Sequence, residues 1–318
     1  MRALVLGCGS VGSRHARNLV SLGLELVVAD VDEEASRTLA GATGATAVTP
    51  GTAPHCELVV VATPSAHHVD DLRWALDRGA DVFVEKPLAA SRDGVATARA
   101  LARQHPDRIV MVGCNLRFSE GFAALSANLT AIGRPAALLV DYGWWLPAWR
   151  PAVDYRTTYS ARRALGGGIV LDAIHEIDYT VALAGPVEDV QGSCVTTGIL
   201  EIDVEDVADI TLRHRGGAQS HLHLDCLRRR YSRRCTVIGS EAEITWDVPR
   251  ATVELRREAG AAPETVAAGL DSDPNTQYVA EMRHMLAAMT TRAPTCNDVE
   301  RAAATVEIAL RARDGGAR

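Results

Sequence analysis

The sequence predicts an α/β chain of two domains: a parallel sheet wrapped by helices, then a larger unit with a mainly antiparallel sheet. Three observations carry this reading. Apolar runs at 2–7, 24–29, 58–62, 81–84 and 109–112 each end in a polar or glycine cluster, and helical segments separate most of them, as in a parallel sheet with crossover helices. Beyond about residue 120 the rhythm changes, and hairpin-linked runs at 207–213, 219–226 and 234–238 read as antiparallel strands. The composition fits both, since aromatics are 4% against 47% hydrophobic residues, with 26 glycines. Cores of Val, Ala and Leu suit helices layered on a sheet. At 318 residues the chain has room for two domains of roughly 150 residues each, and the change of rhythm sets them at 1–120 and 121–318.

The first run, RALVLG, reads as a buried strand and feeds Gly7, Gly9 and Gly12 in the spacing GxGxxG, after which SRHARNLVSLG is helical. In that context each glycine has a task. Gly7 makes the tight turn, Gly9 lets the backbone approach a pyrophosphate, and Gly12 lets the helix pack on the sheet. The pyrophosphate would rest on the helix start, where Ser10, Val11 and Gly12 present N–H groups. Asp30 closes the second strand 18 residues after Gly12. A carboxylate there accepts from both ribose hydroxyls and repels a 2′-phosphate, so NAD is preferred over NADP.

The later strands end in Thr63, Pro64 and His67, in Glu85, Lys86 and Pro87, and in Gly113, Cys114 and Asn115. The carboxyl edge of a parallel sheet faces the ligand crevice. This edge assigns Thr63, Pro64, His67, Glu85, Lys86 and Asn115 to the cofactor side. Lys86 reads either as a site residue held by the following proline or as an exposed turn lysine. His67 and His68 read equally as a helix cap, a cofactor contact or a solvent-exposed pair.

In the second domain, a helix at 120–130 and a strand at 136–142 lead into the loop GWWLPAWRPAVDYRTTYSARRALGGG. Trp144, Trp145 and Trp149, three of five tryptophans, fall there, beside Tyr142, Tyr155 and Tyr159. Aromatic faces among Arg150, Asp154, Tyr155 and Arg156 suit a sugar ring and its hydroxyls; a subunit interface or core packing is the alternative. The segment IVLDAIHEIDYTVALAG reads as one helix stopped by Gly185, with Asp172, His175 and Asp178 three apart on one face. Such a cluster lines a cleft or is internally paired. Five arginines between 228 and 234 read as a grip on an anionic substrate or, with more weight, as a solvated hairpin or oligomer edge. Helices at 276–290 and 298–312 end the chain.

Charge and cysteine usage narrow the function further. Lys+Arg 33 against Asp+Glu 40 gives a net charge of −7, which disfavours general nucleic-acid binding. No apolar run reaches the length of a membrane span, and the start MRALVLGCGSVG lacks the longer apolar stretch of a signal peptide. Seven cysteines without a CxxC pair read as reduced thiols rather than a metal or disulfide framework. A cytoplasmic protein without a bound metal is expected.

Together, GCGSVG at 7–12, Asp30, ATPSAHH at 62–68, EKP at 85–87, GCNLRF at 113–118 and GGGIVLDAIHEID at 166–178 resemble the family of glucose–fructose oxidoreductase, inositol dehydrogenase and the rhizopine-catabolism oxidoreductases. The resemblance runs over nearly the whole chain. It implies an N-terminal Rossmann dinucleotide-binding domain and a C-terminal α/β domain whose open sheet lines the active site and often mediates oligomers, here a homodimer or homotetramer. It also implies NAD(P)-dependent interconversion of a secondary alcohol and a ketone on a sugar, cyclitol or nucleotide sugar. Lys86 then matches the family's active-site lysine, His175 its acid–base residue and Asp172 the partner carboxylate, although many members space that Asp–His pair by four. Arg117, Trp149, Arg150, Asp154, Tyr155 and Tyr159 are expected to join Lys86, Asp172 and His175 around a polyhydroxylated substrate. The alternatives are a non-catalytic dinucleotide-binding sensor or assembly subunit, and a sugar-processing enzyme with tightly bound NAD.

Overall fold

A computed structural model describes residues 1–315, so the last three residues of the expected second domain lie outside the described residues. The chain forms two compact units. One comprises residues 1–114 and 278–306, the other residues 115–277 and those from 307 on. Compared with the expected division at 120, Asn115 to Glu120 belong with the second unit, and most of the C-terminal helical region belongs with the first.

The first unit is a six-stranded parallel sheet with helices between its strands. Its elements are β1 (Arg2–Leu6), α1 (Ser10–Ser21), β2 (Glu25–Ala29), α2 (Glu33–Thr43), β3 (Thr46–Val48), β4 (Leu58–Val61), α3 (His68–Asp77), β5 (Asp81–Val84), α4 (Arg92–Gln104) and β6 (Val110–Val112). The order β3-β2-β1-β4-β5-β6 reverses direction between β1 and β4, which is the switch point where doubly wound sheets bind ligands. Strands such as Leu58–Val61 are buried throughout because helices cover both faces. Local chemistry sets the helix ends. Asp32 accepts from the N–H groups of Glu34 and Ala35 to start α2, which stops at left-handed Gly44. Ser91 accepts from Gly94 to start α4.

The second unit begins with α5 (Glu120–Ala127), β7 (Pro135–Gly143), the short α6 (Leu146–Trp149), α7 (Ile169–Asp172) and α8 (Ile174–Ala184). Seven further strands follow: β8 (Val187–Val195), β9 (Val207–His214), β10 (Gln219–Asp225), β11 (Ser232–Gly239), β12 (Glu243–Asp247), β13 (Thr252–Arg256) and β14 (Glu264–Ala268). The eight-stranded sheet has the order β14-β13-β12-β11-β7-β10-β9-β8. All its neighbours are antiparallel except β7 and β10. Alternation is clear in β7, where Leu138 and Val140 are buried and Leu139 between them is 48% exposed. One face therefore meets the core and the other is open. The last helices are α9 (Asn275–Thr291) and α10 (Val299–Arg313).

The segment read as one helix after Gly168 is two, broken at Ala173. Its acidic side chains explain the division of labour. Asp172 of α7 is tied to the aromatic loop through Tyr159, while Glu176 of α8 is tied to β11 through Arg233. Asp172 and His175 thus sit on successive short helices rather than on one continuous face. Among the described residues no helix is long and apolar enough to cross a membrane.

Candidate functional site

The glycine loop of the first unit is built for close backbone approach. Gly7 has φ +92°, and a Cβ there would meet Ala62 O at 2.5 Å; one on Gly12 would meet Gly7 O at 1.8 Å. At Gly9 a Cβ would find nothing within 4 Å, so that position faces open space. Helix α1 starts at Gly9 without a side-chain cap. Its first N–H groups, on Ser10, Val11 and Gly12, have no acceptor within the helix by α-geometry. These are the features a pyrophosphate requires, and the residues present fit a dinucleotide.

Asp30 braces this loop. It accepts from Cys8 N–H at 2.6 Å and from Asp32 N–H at 2.9 Å. Burial, then the charges of Asp30 and Asp32, push the Cys8 thiol up to about 12, which keeps it unreactive. Beyond β4, Thr63 donates to Asp71 at 2.6 Å. The histidine pair divides its tasks. His67 is exposed at the start of α3, whereas His68 is buried, with Nδ1 2.7 Å from Pro87 O and Nε2 2.8 Å from Thr63 O. His68 ties the turn after β4 to the turn after β5.

Lys86 is half-buried just beyond β5, and the Lys86–Pro87 peptide is cis. Of the chain's 33 lysine and arginine residues, only Lys86 is lysine. Every other lysine-or-arginine position carries a guanidinium. An ammonium differs in being a compact point charge whose proton affinity can be tuned, so this count singles Lys86 out more sharply than its spacing does. Glu85 turns inward. Its carboxylate lies 2.6 Å from His15 Nε2 and accepts from Lys86 N–H at 3.1 Å. Burial alone would raise the Glu85 carboxyl, but the His15 hydrogen bond and the neighbouring charges of His15 and Lys86 hold it below its ordinary value.

In the second unit, Tyr159 donates to Asp172, which is buried, while His175 beside it is half-buried. Asp178 pairs with Arg117 through two bonds of 2.6 and 2.7 Å. Burial raises the Asp178 carboxyl despite Arg117. Of the acidic residues read onto one face, Asp178 is therefore internally paired, and the Arg117 head group expected at substrate serves that pair. Asn115 donates to Gln277 at 3.0 Å.

The aromatic loop largely packs on itself. Trp144 stacks on Trp149 with centroids 6.3 Å apart, and Trp149 Nε1 donates to Trp144 O at 3.0 Å. Tyr231 meets the edge of Trp144 at 5.5 Å and of Tyr142 at 6.4 Å. Asp154 is engaged by Arg156 at 2.8 Å, and the Tyr155 hydroxyl accepts from Glu201 N–H at 3.2 Å. The loop leaves a shallow surface depression lined by Leu146, Trp149, Arg150, Val153, Tyr155, Thr158 and Ser160. The arginine run divides, with Arg228 and Arg233 half-buried and paired while Arg229, Arg230 and Arg234 are exposed. Arg228 bonds Asp141 and Asp225, Arg229 lies 3.2 Å from the Trp145 ring centroid, and Arg233 bonds buried Glu176 at 2.7 Å.

Sequence reasoning passed over His15, Tyr231 and Glu176. His15 carried a signal, because it lies three residues after Gly12, on the helix side that packs on the sheet, where an apolar residue is expected. Tyr231 was hidden inside the arginine run. Nothing local marks Glu176, whose partner is 57 residues away.

Comparison with known proteins agrees with this architecture. Residues 1–114 match the model described as the oxidoreductase family, NAD-binding Rossmann fold, and residues 128–245 match the GFO/IDH/MocA C-terminal domain. The chain belongs to the Gfo/Idh/MocA oxidoreductase family. The inositol 2-dehydrogenase of Ralstonia nicotianae is 30% identical over 145 residues, 42% of this chain and 43% of that protein. The match thus spans less than half the length of that relative. The myo-inositol 2-dehydrogenase of Thermotoga maritima is 28% identical over 294 residues, 82% of this chain and 79% of that protein. The structure of UDP-N-acetylglucosamine 3-dehydrogenase GnnA from Acidithiobacillus ferrooxidans shares the fold, with a TM-score of 0.83 at 19% identity over 99% of this chain and 97% of that one.

Proposed function

We propose that this chain is an NAD-dependent dehydrogenase that interconverts a secondary alcohol and a ketone on a sugar, cyclitol or nucleotide sugar. The observation that carries the reading is the lone lysine of the chain standing at the ligand edge of a doubly wound sheet. Membership of an oxidoreductase family and the glycine loop support it. The N–H groups of Ser10, Val11 and Gly12 would hold the pyrophosphate and Asp30 the ribose. Bound there, the dinucleotide supplies the acceptor or donor of hydride.

The protein's own groups manage the oxygen and its proton. Lys86 donates to the reacting oxygen and stabilises the negative charge that develops on it. His175 takes the hydroxyl proton in oxidation and returns it in reduction. Asp172, with one oxygen engaged by Tyr159, orients that chemistry. Trp149, Arg150 and Tyr155, which line the depression in the aromatic loop, would supply stacking faces and donors to a polyhydroxylated ring.

The test follows nicotinamide absorbance with NAD⁺ or NADP⁺ against panels of sugars, cyclitols and nucleotide sugars. Turnover with NAD⁺ on at least one polyol is expected. Lys86→Ala should then lower kcat by about 10²–10⁴-fold while leaving the NAD⁺ dissociation constant within about threefold. Near-normal turnover of Lys86→Ala would remove the assigned role. Tight NAD⁺ binding without turnover on any panel member would favour a sensor.

A further inference from the structure

Next to Lys86 in the chain, the first unit carries a buried histidine–carboxylate pair that the proposed chemistry does not use. His15 is wholly buried in α1, and Glu85 is 9% exposed. The imidazole is held edge-on by Phe83, with centroids 5.1 Å apart, and by Tyr278 at 5.9 Å. Its Nε2 lies 2.6 Å from one carboxylate oxygen of Glu85, and the other oxygen accepts from the backbone N–H of Lys86. A carboxylate only accepts, so Nε2 carries the hydrogen. Among the described residues His15 Nδ1 has no hydrogen-bond partner. A pair of this kind is a poor stabilising device, since apolar residues of the same volume serve as well or better. Its placement suggests a different use. His15 lies one helical turn below the N-terminal groups of α1 that would hold the pyrophosphate, and Glu85 is covalently next to Lys86.

We propose that His15 and Glu85 are positioning residues that fix a negative charge next to Lys86 in the chain, keeping its ammonium charged and tying it to the dinucleotide-binding helix. The reasoning is reciprocal. Lys86 holds the Glu85 carboxyl down, so ionised Glu85 must hold the Lys86 ammonium in its charged form. His15 keeps Glu85 ionised in a place where burial opposes it. The other titratable or charged groups whose fields reach this corner are Arg14 on α1, His68 on α3, and Tyr278 and Glu281 on α9. The Glu85 carboxylate itself is engaged by His15 and by the Lys86 backbone. The meaning for catalysis rests on the dehydrogenase reading, but the physical claim does not.

The single lysine makes the claim measurable without a substrate. Reductive methylation with ¹³C-formaldehyde labels Lys86 and the chain's α-amino group, and NMR follows each resonance against pH. Glu85→Gln keeps the shape and the acceptor for His15 but removes the charge. His15→Leu removes the donor that fixes the carboxylate in place. Glu85→Gln should move the Lys86 midpoint down by about one pH unit, and His15→Leu should move it down by less. His15→Gln, which can still donate, should hold it within a few tenths of a unit. Circular dichroism shows which variants are folded, and His15→Asn, too short to reach Glu85, replaces His15→Leu if that variant fails to fold. An unchanged or raised midpoint in folded Glu85→Gln overturns the proposal. So does a variant without the His15 donor that loses thermal stability yet titrates like the parent. A chain with no dehydrogenase activity would still give the answer.

Discussion

Asp30 shows how one side chain can serve both the protein and its ligand. Two backbone N–H groups use its carboxylate as a brace, yet its charge stays at the end of β2, where it would repel a 2′-phosphate. Asp30→Asn keeps an acceptor for Cys8 N–H and removes the repulsion. The ratio of NADP⁺ to NAD⁺ dissociation constants should shift by about tenfold toward NADP⁺, read by fluorescence titration of both dinucleotides. An unchanged ratio would free Asp30 from cofactor choice. Residues of this kind were legible because their meaning is local: a glycine spacing, a carboxylate closing a strand, a lysine before proline. Arg117, Asp154 and Tyr155 were less so. Their chemistry suits a hydroxylated ligand, but protein partners claim their polar groups, from Arg156 two residues from Asp154 to Asp178 61 residues from Arg117.

At the scale of elements, periodicity located α9 and α10 to within about one residue at each end. It read α7 and α8 as one helix, since the turn at Ala173 is set by side-chain anchors on either side rather than by a glycine or proline. Helix packing depends on a further detail. A Cβ on Gly121 of α5 would stand 2.0 Å from Nε1 of Trp246 on β12, and Trp246 is 1% exposed with Tyr179 against it at 5.7 Å. The indole has nowhere to go. Gly121→Ala should therefore destabilise the second unit by about 1–3 kcal/mol, seen as a Tm lowered by roughly 2–8 °C. An unaltered Tm would mean that α5 shifts freely on the sheet.

The molecule as a whole should be sensitive to mild acid. Burial holds the imidazoles of His68 in the first unit and His214 in the second below their ordinary value. Below about pH 6.5 the unfolded chain therefore binds protons that the folded one resists. Stability from these groups is intact above that pH and is lost as pH falls toward their folded values. His214 bridges Gly185 O and Ser220 Oγ, each at 2.7 Å. His214→Asn preserves a donor toward Gly185 O and abolishes the titration. Scanning calorimetry at about pH 7.5 and 5.5 should show a smaller loss of Tm for this variant than for the parent, and equal losses would exclude His214 as a source.

The chain's return to the first unit at residues 278–306 bears on how the protein is made. The N–H of Val112 on β6 donates to Asn297 O, Cys114 N–H to Glu281, and Arg292 grips Asp81. A ribosome therefore releases the parallel sheet with one flank bare and completes the second unit's strands before that flank can be covered. The N-terminal sheet therefore depends on residues 278–306, made after the second unit's strands, to close its flank.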